Sequence, residues 1–161
     1  MIKSEIKTDQ GITTITAETT INAPKSEVWA VLSHIGAIAN FHPLVKSSKT
    51  LTPYGGGLGA RRHCELLPMG AMEEEVVEWQ EGQSFVMEVV GGKLLPPYKF
   101  MRGLIQLEEN EGQSRVRFSF SYQLKFGLLG RLLNHLMIKG EFKKAPPQYV
   151  EGLKKYMELG Q

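Results

Sequence analysis

The sequence predicts an α+β fold: a curved antiparallel sheet of seven strands, two short helices after strand 1, and a long C-terminal helix. Three observations predict it. The middle of the chain is a series of short stretches with strand composition, divided by turns that each contain Gly or Pro. The last of these stretches alternates strictly, with Val116, Phe118, Phe120, Tyr122 and Leu124 on one face and Arg115, Arg117, Ser119, Ser121 and Gln123 on the other. Beyond it the apolar period changes to three and four, through Leu129, Leu132, Leu133, Leu136, Met137 and Gly140, then through Tyr149, Val150, Leu153, Tyr156 and Met157.

Taken in order, residues 1–11 read as a polar leader. Residues 12–22 are rich in Thr and Ile, and Ile15, Ala17, Thr19 and Ile21 form the less polar face of a strand. Pro24, Ser26 and Glu27 suit a helix entry, which Val28, Trp29, Val31 and Leu32 furnish with an apolar side. Ala37–Phe41 forms a second short helix that His42-Pro43 ends. Strands are expected over Val45–Leu51, Gly59–Leu67, Ala71–Gln80, Ser84–Val90, Tyr98–Glu108 and Ser114–Leu124, joined as hairpins. Ala145-Pro-Pro must bend or break the final helix, because each proline removes a donor and crowds the preceding turn.

At 161 residues the chain fits one domain, with no repeat or linker to divide it. A formal charge of +2 does not suggest a nucleic-acid partner. Cys64 is the single cysteine, so an internal disulfide and a Cys-based zinc cage are ruled out. Asp9 is the single aspartate, which removes Asp-based triads and paired-Asp metal sites and leaves carboxylate chemistry to glutamate. His34, His63 and His135 show no metal spacing, and no cofactor or metal is implied. No apolar run is long enough for a membrane span and the start lacks a signal peptide's apolar stretch, so the expected location is cytoplasmic.

A strongly curved sheet and a straight helix fit together poorly at the centre, so the space between them is either packed by large side chains or left as a pocket. The run Ala23-Pro-Lys-Ser-Glu-Val-Trp-Ala-Val-Leu, the segment Gly57-Leu-Gly-Ala-Arg-Arg, the Glu-rich strand ending in Glu78-Trp79 and the closing Gly152-Leu-Lys resemble the SRPBCC superfamily. That group contains START domains, polyketide cyclase/dehydrase-like proteins and the birch-pollen-allergen fold, and the resemblance covers roughly residues 12–158. It implies a helix-grip fold with a deep apolar cavity between the sheet and the last helix. It is specific for fold and not for function.

Inner-face parity nominates Met87, Phe118, Phe120 and Tyr122 on strands, with Leu133, Met137 and Gly140 on the helix, as cavity lining. Each taken singly is ordinary core; together, Met and aromatic side chains adapt to ligands of varied shape. Arg62 shares the parity of Ala60, Cys64 and Leu66, and an inward arginine needs a carboxylate or an acidic ligand. Glu73, Glu74 or Glu75 can supply the partner, which leaves a structural pair and a ligand anchor both open. The superfamily commonly has an arginine at the position that Arg62 matches. Arg102 shares parity with Tyr98, Phe100 and Leu104, and is either a further inward group or a surface arginine. His42, beside Phe41, is either a rim acid/base or a helix-end histidine. Gly55-Gly-Gly-Leu-Gly and Gly91–Pro97 are candidate gates, with Leu94 and Leu95 placed to close over a ligand.

The first functional expectation is binding or transport of a small hydrophobic molecule such as a lipid, polyketide or aromatic compound. The second is an aromatase/cyclase-type enzyme using Arg62, Tyr122 and His42 as its polar groups. The third is a protein-interaction module of the co-chaperone type. Charge is uneven as well: from Glu65 to Glu111 there are ten Glu and three Lys/Arg, and from Gly112 to Met157 nine Lys/Arg and two Glu. The plain reading is a solvated basic face. The sharper one is transient contact with an anionic membrane surface.

Overall fold

The computed structural model describes residues 1–160 and opens with a hairpin that composition conceals. Strand β1 (Lys3–Asp9) pairs antiparallel with β2 (Ile12–Ile21). Both turn residues have positive φ, Gln10 at 49° and Gly11 at 81°, the signature of a tight two-residue hairpin turn. Residues 3–9 are therefore an edge strand and not a leader, and the sheet has eight strands where seven were expected. Their exposed, polar character on both faces is what an edge strand carries to discourage further pairing.

After β2 come helix α1 (Lys25–Leu32), a 3₁₀ turn (Ile35–Asn40) and strands β3 (Val45–Thr50), β4 (Arg61–Leu66), β5 (Ala71–Gln80), β6 (Ser84–Lys93), β7 (Tyr98–Asn110) and β8 (Gln113–Leu124). The spatial order is β1-β2-β8-β7-β6-β5-β4-β3, every neighbour antiparallel. β2 and β8, distant in sequence, thus join the N-terminal hairpin to the rest of the sheet. On the outer face hydroxyls pair across that junction, Thr14 with Ser121 at 3.0 Å and Thr16 with Ser119 at 3.1 Å.

Two irregular strands explain where parity misleads. β5 carries bulges at Glu73/Glu74 and Val76/Glu78, which reverse the inward set along its length. β7 is bulged between Tyr98 and Phe100; beyond the bulge Met101, Ile105 and Leu107 point inward and are buried. Arg102 consequently lies on the outer face, exposed, 3.5 Å from Glu88, which corrects its proposed place in the cavity wall.

The C-terminal helix is broken, as the two prolines require. Helix α2 (Gly127–Leu133) runs into a π turn (Asn134–Ile138) and a short α3 (Lys139–Phe142), and α4 (Ala145–Leu159) begins afresh with prolines in its first turn. Packed on the inner face are two apolar clusters. The first joins α1, the 3₁₀ turn and α4 to the sheet and includes Trp29, Phe41, Met87, Tyr149 and Leu153. Its Trp29 and Trp79 rings lie 5.1 Å apart, and the Glu81 carboxylate accepts an indole N–H from each at 2.7 Å. The second centres on Ile15, Val89, Met101, Tyr122 and Leu124, with Ile138 and Phe142 laid over it.

Candidate functional site on the inner face of the sheet

Arg62 and Cys64 point inward from β4, as their parity with Ala60 requires, and are buried. The guanidinium Nε donates to Glu74 Oε2 at 2.7 Å, and Nη1 donates to the Ile35 carbonyl at 3.0 Å. Glu74, one of three candidate carboxylates, is the partner because its bulge turns it inward; Glu73 and Glu75 stay outside beside Arg61. Burial opposes the charge on Arg62, but the adjacent Glu74 outweighs it and raises the guanidinium's pKa.

His42 is buried next to this pair and is pushed down to about 4, first by burial and then by the Arg62 charge. It is therefore neutral at pH 7, and its Nδ1 accepts the Leu44 N–H at 3.3 Å. The Tyr149 ring stands edge-on to both His42 and Phe41, at 5.7 and 5.3 Å, and burial pushes its hydroxyl's pKa up. Burial likewise pushes the Cys64 thiol up to about 12, so it is an inert core thiol at neutral pH.

Tyr122 lies elsewhere, in the second cluster. Its hydroxyl donates to Asn134 Oδ1 at 2.5 Å, and Asn134 Nδ2 donates to Thr13 Oγ1 at 2.9 Å. Burial pushes the phenol up to about 12. Arg62 and His42 are thus brought together, while Tyr122 is committed to a different network; the three do not form one constellation.

The remaining lining candidates divide the same way. Phe41 and Met87 are buried in the first cluster, and Phe118 sits 4.6 Å from Tyr149. Tyr98 and Phe120 belong to the second, where Phe142 meets Phe120 and Tyr122 edge-on at 5.4 and 5.0 Å. Leu133 is half-buried. Met137 is 62% exposed and Gly140 faces solvent, because the helical segment presents Gly130, Asn134, Ile138 and Phe142 to the sheet instead. Asn134, anchored by Tyr122 and Thr13, sets that rotation. Ile138, Phe142 and Met72 were missed by parity, since they lie in a π turn, a broken helix and a bulged strand, while Leu95, named with the β6–β7 loop, packs on this cluster.

Phe118 and Phe120 are only half-buried, although β8 is an interior strand and they occupy its inner face. Met72, Leu95, Tyr98, Ile138 and Phe142, which pack with Phe120 on the second cluster, are half-buried too. Two open concavities are small and polar: one of about 100 Å³ is lined by Gly11, Lys99, Gln123, Arg131 and Asn134 among others, and one of about 160 Å³ on the outer face by Glu18, Gln106, Glu108, Arg115 and Arg117. Neither has the apolar walls or the size, roughly 300 Å³ or more, of a site for a drug-sized molecule. The Gly55–Gly59 segment is not a free gate. Ile35 N–H donates to the Gly55 carbonyl at 2.9 Å, and a Cβ on Gly56 would collide with the Ser33 carbonyl.

A curved antiparallel sheet gripping a C-terminal helix over a largely apolar inner face defines a helix-grip protein. Residues 13–158 match the family described as polyketide cyclase / dehydrase and lipid transport, and the chain belongs to that family. Among solved structures it is similar to a protein of Thermus thermophilus (18% identity, TM-score 0.74, covering 92% of this chain and 99% of that one). It is also similar to a START superfamily protein from Mycobacterium smegmatis (12%, 0.69, 92% and 99%) and to Ara h 8.0201 (15%, 0.64, 94% and 100%). At these identities the likeness is one of fold. No curated protein matches the sequence.

Proposed function

We propose that the protein binds or carries a small hydrophobic molecule (a lipid, polyketide or aromatic compound) against the half-buried apolar layer of Tyr98, Phe118, Phe120, Ile138 and Phe142. The observation that carries this reading is the incomplete cover of Phe118 and Phe120 on the inner face of an interior strand. Large aromatic side chains in that position are ordinarily driven to full burial, so the layer retains apolar surface for a guest. The family's description, cyclases, dehydrases and lipid transport, fits such a guest.

Entry requires the segment from α2 to α3 to move outward, and both its ends are suited to hinging. Phe126 and Gly127 hold φ of 72° and 50° at one end, and the proline-led break precedes α4 at the other. Arg62, Glu74 and His42 are assigned a structural role, holding β4, β5 and the 3₁₀ turn together.

The test is a titration of the ¹⁵N,¹³C-labelled protein with a panel of medium-chain fatty acids and fused-ring aromatics. Expected are shift changes centred on Tyr98, Phe120, Ile138 and Phe142 and a raised melting temperature for at least one compound. No perturbation of these residues by any member, together with an unchanged melting temperature, overturns the reading.

A further inference from the structure

We propose a second functional surface: the end of the molecule bearing the segment Phe126–Met137 docks on an anionic lipid bilayer. Sheet topology brings four features to one end, namely the β1–β2 turn, the β4–β5 turn, the β6–β7 loop and the C-terminus of β8. The segment that follows β8 caps this end. Lys125 N–H donates to the Pro97 carbonyl at 2.9 Å, and Arg131 lies against Gly11 of the first turn.

Its apolar side chains point away from the protein. Phe126, Leu128, Leu129, Leu132, Leu136 and Met137 are between 53% and 80% exposed. Leu94 on the β6–β7 loop and Met69 on the β4–β5 turn, 75% and 66% exposed, add to the same end. This apolar helical face has no partner among the described residues, and exposed patches of this kind mark interaction sites.

Charge selects the occupant. Lys93, Lys99, Lys125, Arg131, Lys139 and Lys143 surround the patch, and none takes part in an ion pair among the described residues. Elsewhere Arg61, Arg62, Arg102, Arg115, Lys154 and Lys155 are each paired with glutamate, and Lys3, Lys25, Lys49 and Arg117 take no ion pair among the described residues. The acids at this end are few: Asp9 at the end of β1, Glu65 hydrogen-bonded to His63, and Glu141 paired with Lys144. A second copy seated face to face would set these cations against their own images. A bilayer rich in anionic headgroups neutralises them while the leucines enter the acyl boundary, the arrangement of an interfacial amphipathic helix.

The inference stands apart from the ligand reading and is tested on the ligand-free full chain. Co-sedimentation is measured with vesicles of phosphatidylglycerol and phosphatidylcholine (3:7) and of phosphatidylcholine alone, in low and high salt. Expected are binding to the mixed vesicles in low salt, much weaker binding to the neutral ones, and loss at high salt. K139Q/K143Q is expected to lower the partition coefficient roughly 30-fold, about fivefold per cation. L128S/L132S, at exposed positions and with an unchanged melting temperature, should lower it by at least tenfold. Absence of binding to the mixed vesicles, equal binding to both compositions, or wild-type binding by L128S/L132S overturns the proposal. So does a concentration-dependent dimer in light scattering that L128S/L132S abolishes, which identifies the occupant as a second copy.

Discussion

Two neighbouring stretches of the sheet's inner face are covered in different ways. Around Arg62, α1, the 3₁₀ turn and α4 close completely: Val28, Ile35, Val150 and Leu153 are 0–1% exposed. α4 lies so near the 3₁₀ turn that a Cβ on Gly152 would collide with the Phe41 carbonyl. Around Phe120, the cover is a helical segment interrupted by a π turn, held by Tyr122 and Thr13 through one asparagine, with its leucines turned to solvent. The first stretch has close packing and a satisfied buried ion pair, and behaves as scaffold. The second keeps apolar surface on both sides of a thin cover. Stability is thereby concentrated in one half, which leaves the other free to open.

The largest effect that separates the halves is expected at the ion pair. Glu74→Ala leaves the buried Arg62 charge without its partner, which costs about 3–5 kcal/mol in denaturant unfolding. Replacing both, as R62M/E74L, restores most of that loss, since well-packed apolar substitutes remove two desolvated charges together. A double variant as unstable as E74A, or an E74A protein as stable as wild type, breaks the claim that this half is scaffold.

A somewhat smaller effect comes from pH. The folded-state pKa of His42, about 4, lies below the ordinary histidine value of 6.5. Between these values the unfolded chain binds more protons, so stability falls as pH is lowered. The contribution is fully present above about pH 6.5, is lost progressively towards pH 4, and levels off below it; its full size is on the order of 3 kcal/mol. H42Q should flatten the difference curve over that window in urea melts at successive pH values. A parallel pair of curves for wild type and H42Q contradicts a buried, neutral His42.

Much of this contrast was legible in residue patterns and some was not, for physical reasons. The faces of β2 and β8 follow from alternation because each is a regular strand with one wet side. The inward turn of Arg62 followed from its apolar parity set, yet the choice of Glu74 over its neighbours depends on a bulge that alternation cannot register. The bulge in β7 likewise decides the side of Arg102, which alternation leaves open. β1 was hidden because an edge strand has no buried face to leave a period. The helix was legible as an apolar stripe through Leu129, Leu132 and Leu136, but the stripe faces solvent. Hydrophobic period shows that a face is apolar; it does not say whether protein or another partner covers it.

The smallest expected effect on global stability bears on the thin cover. Tyr122→Phe removes the hydroxyl that donates to Asn134 Oδ1 and leaves that acceptor without this bond where the π turn begins. The change keeps the ring, so the stacking on Phe120 at 5.5 Å is retained and the loss is on the order of 1 kcal/mol. Its distribution is the informative part. Amide exchange is expected to quicken by about fivefold or more across residues 130–142, while amides of α4 around Val150 and Leu153 exchange as in wild type. If the Asn134 bond is instead part of one cooperative core, Y122F will speed exchange in α4 and α2 alike. The two halves would then be a single unit, and a cover that opens on its own would have no basis.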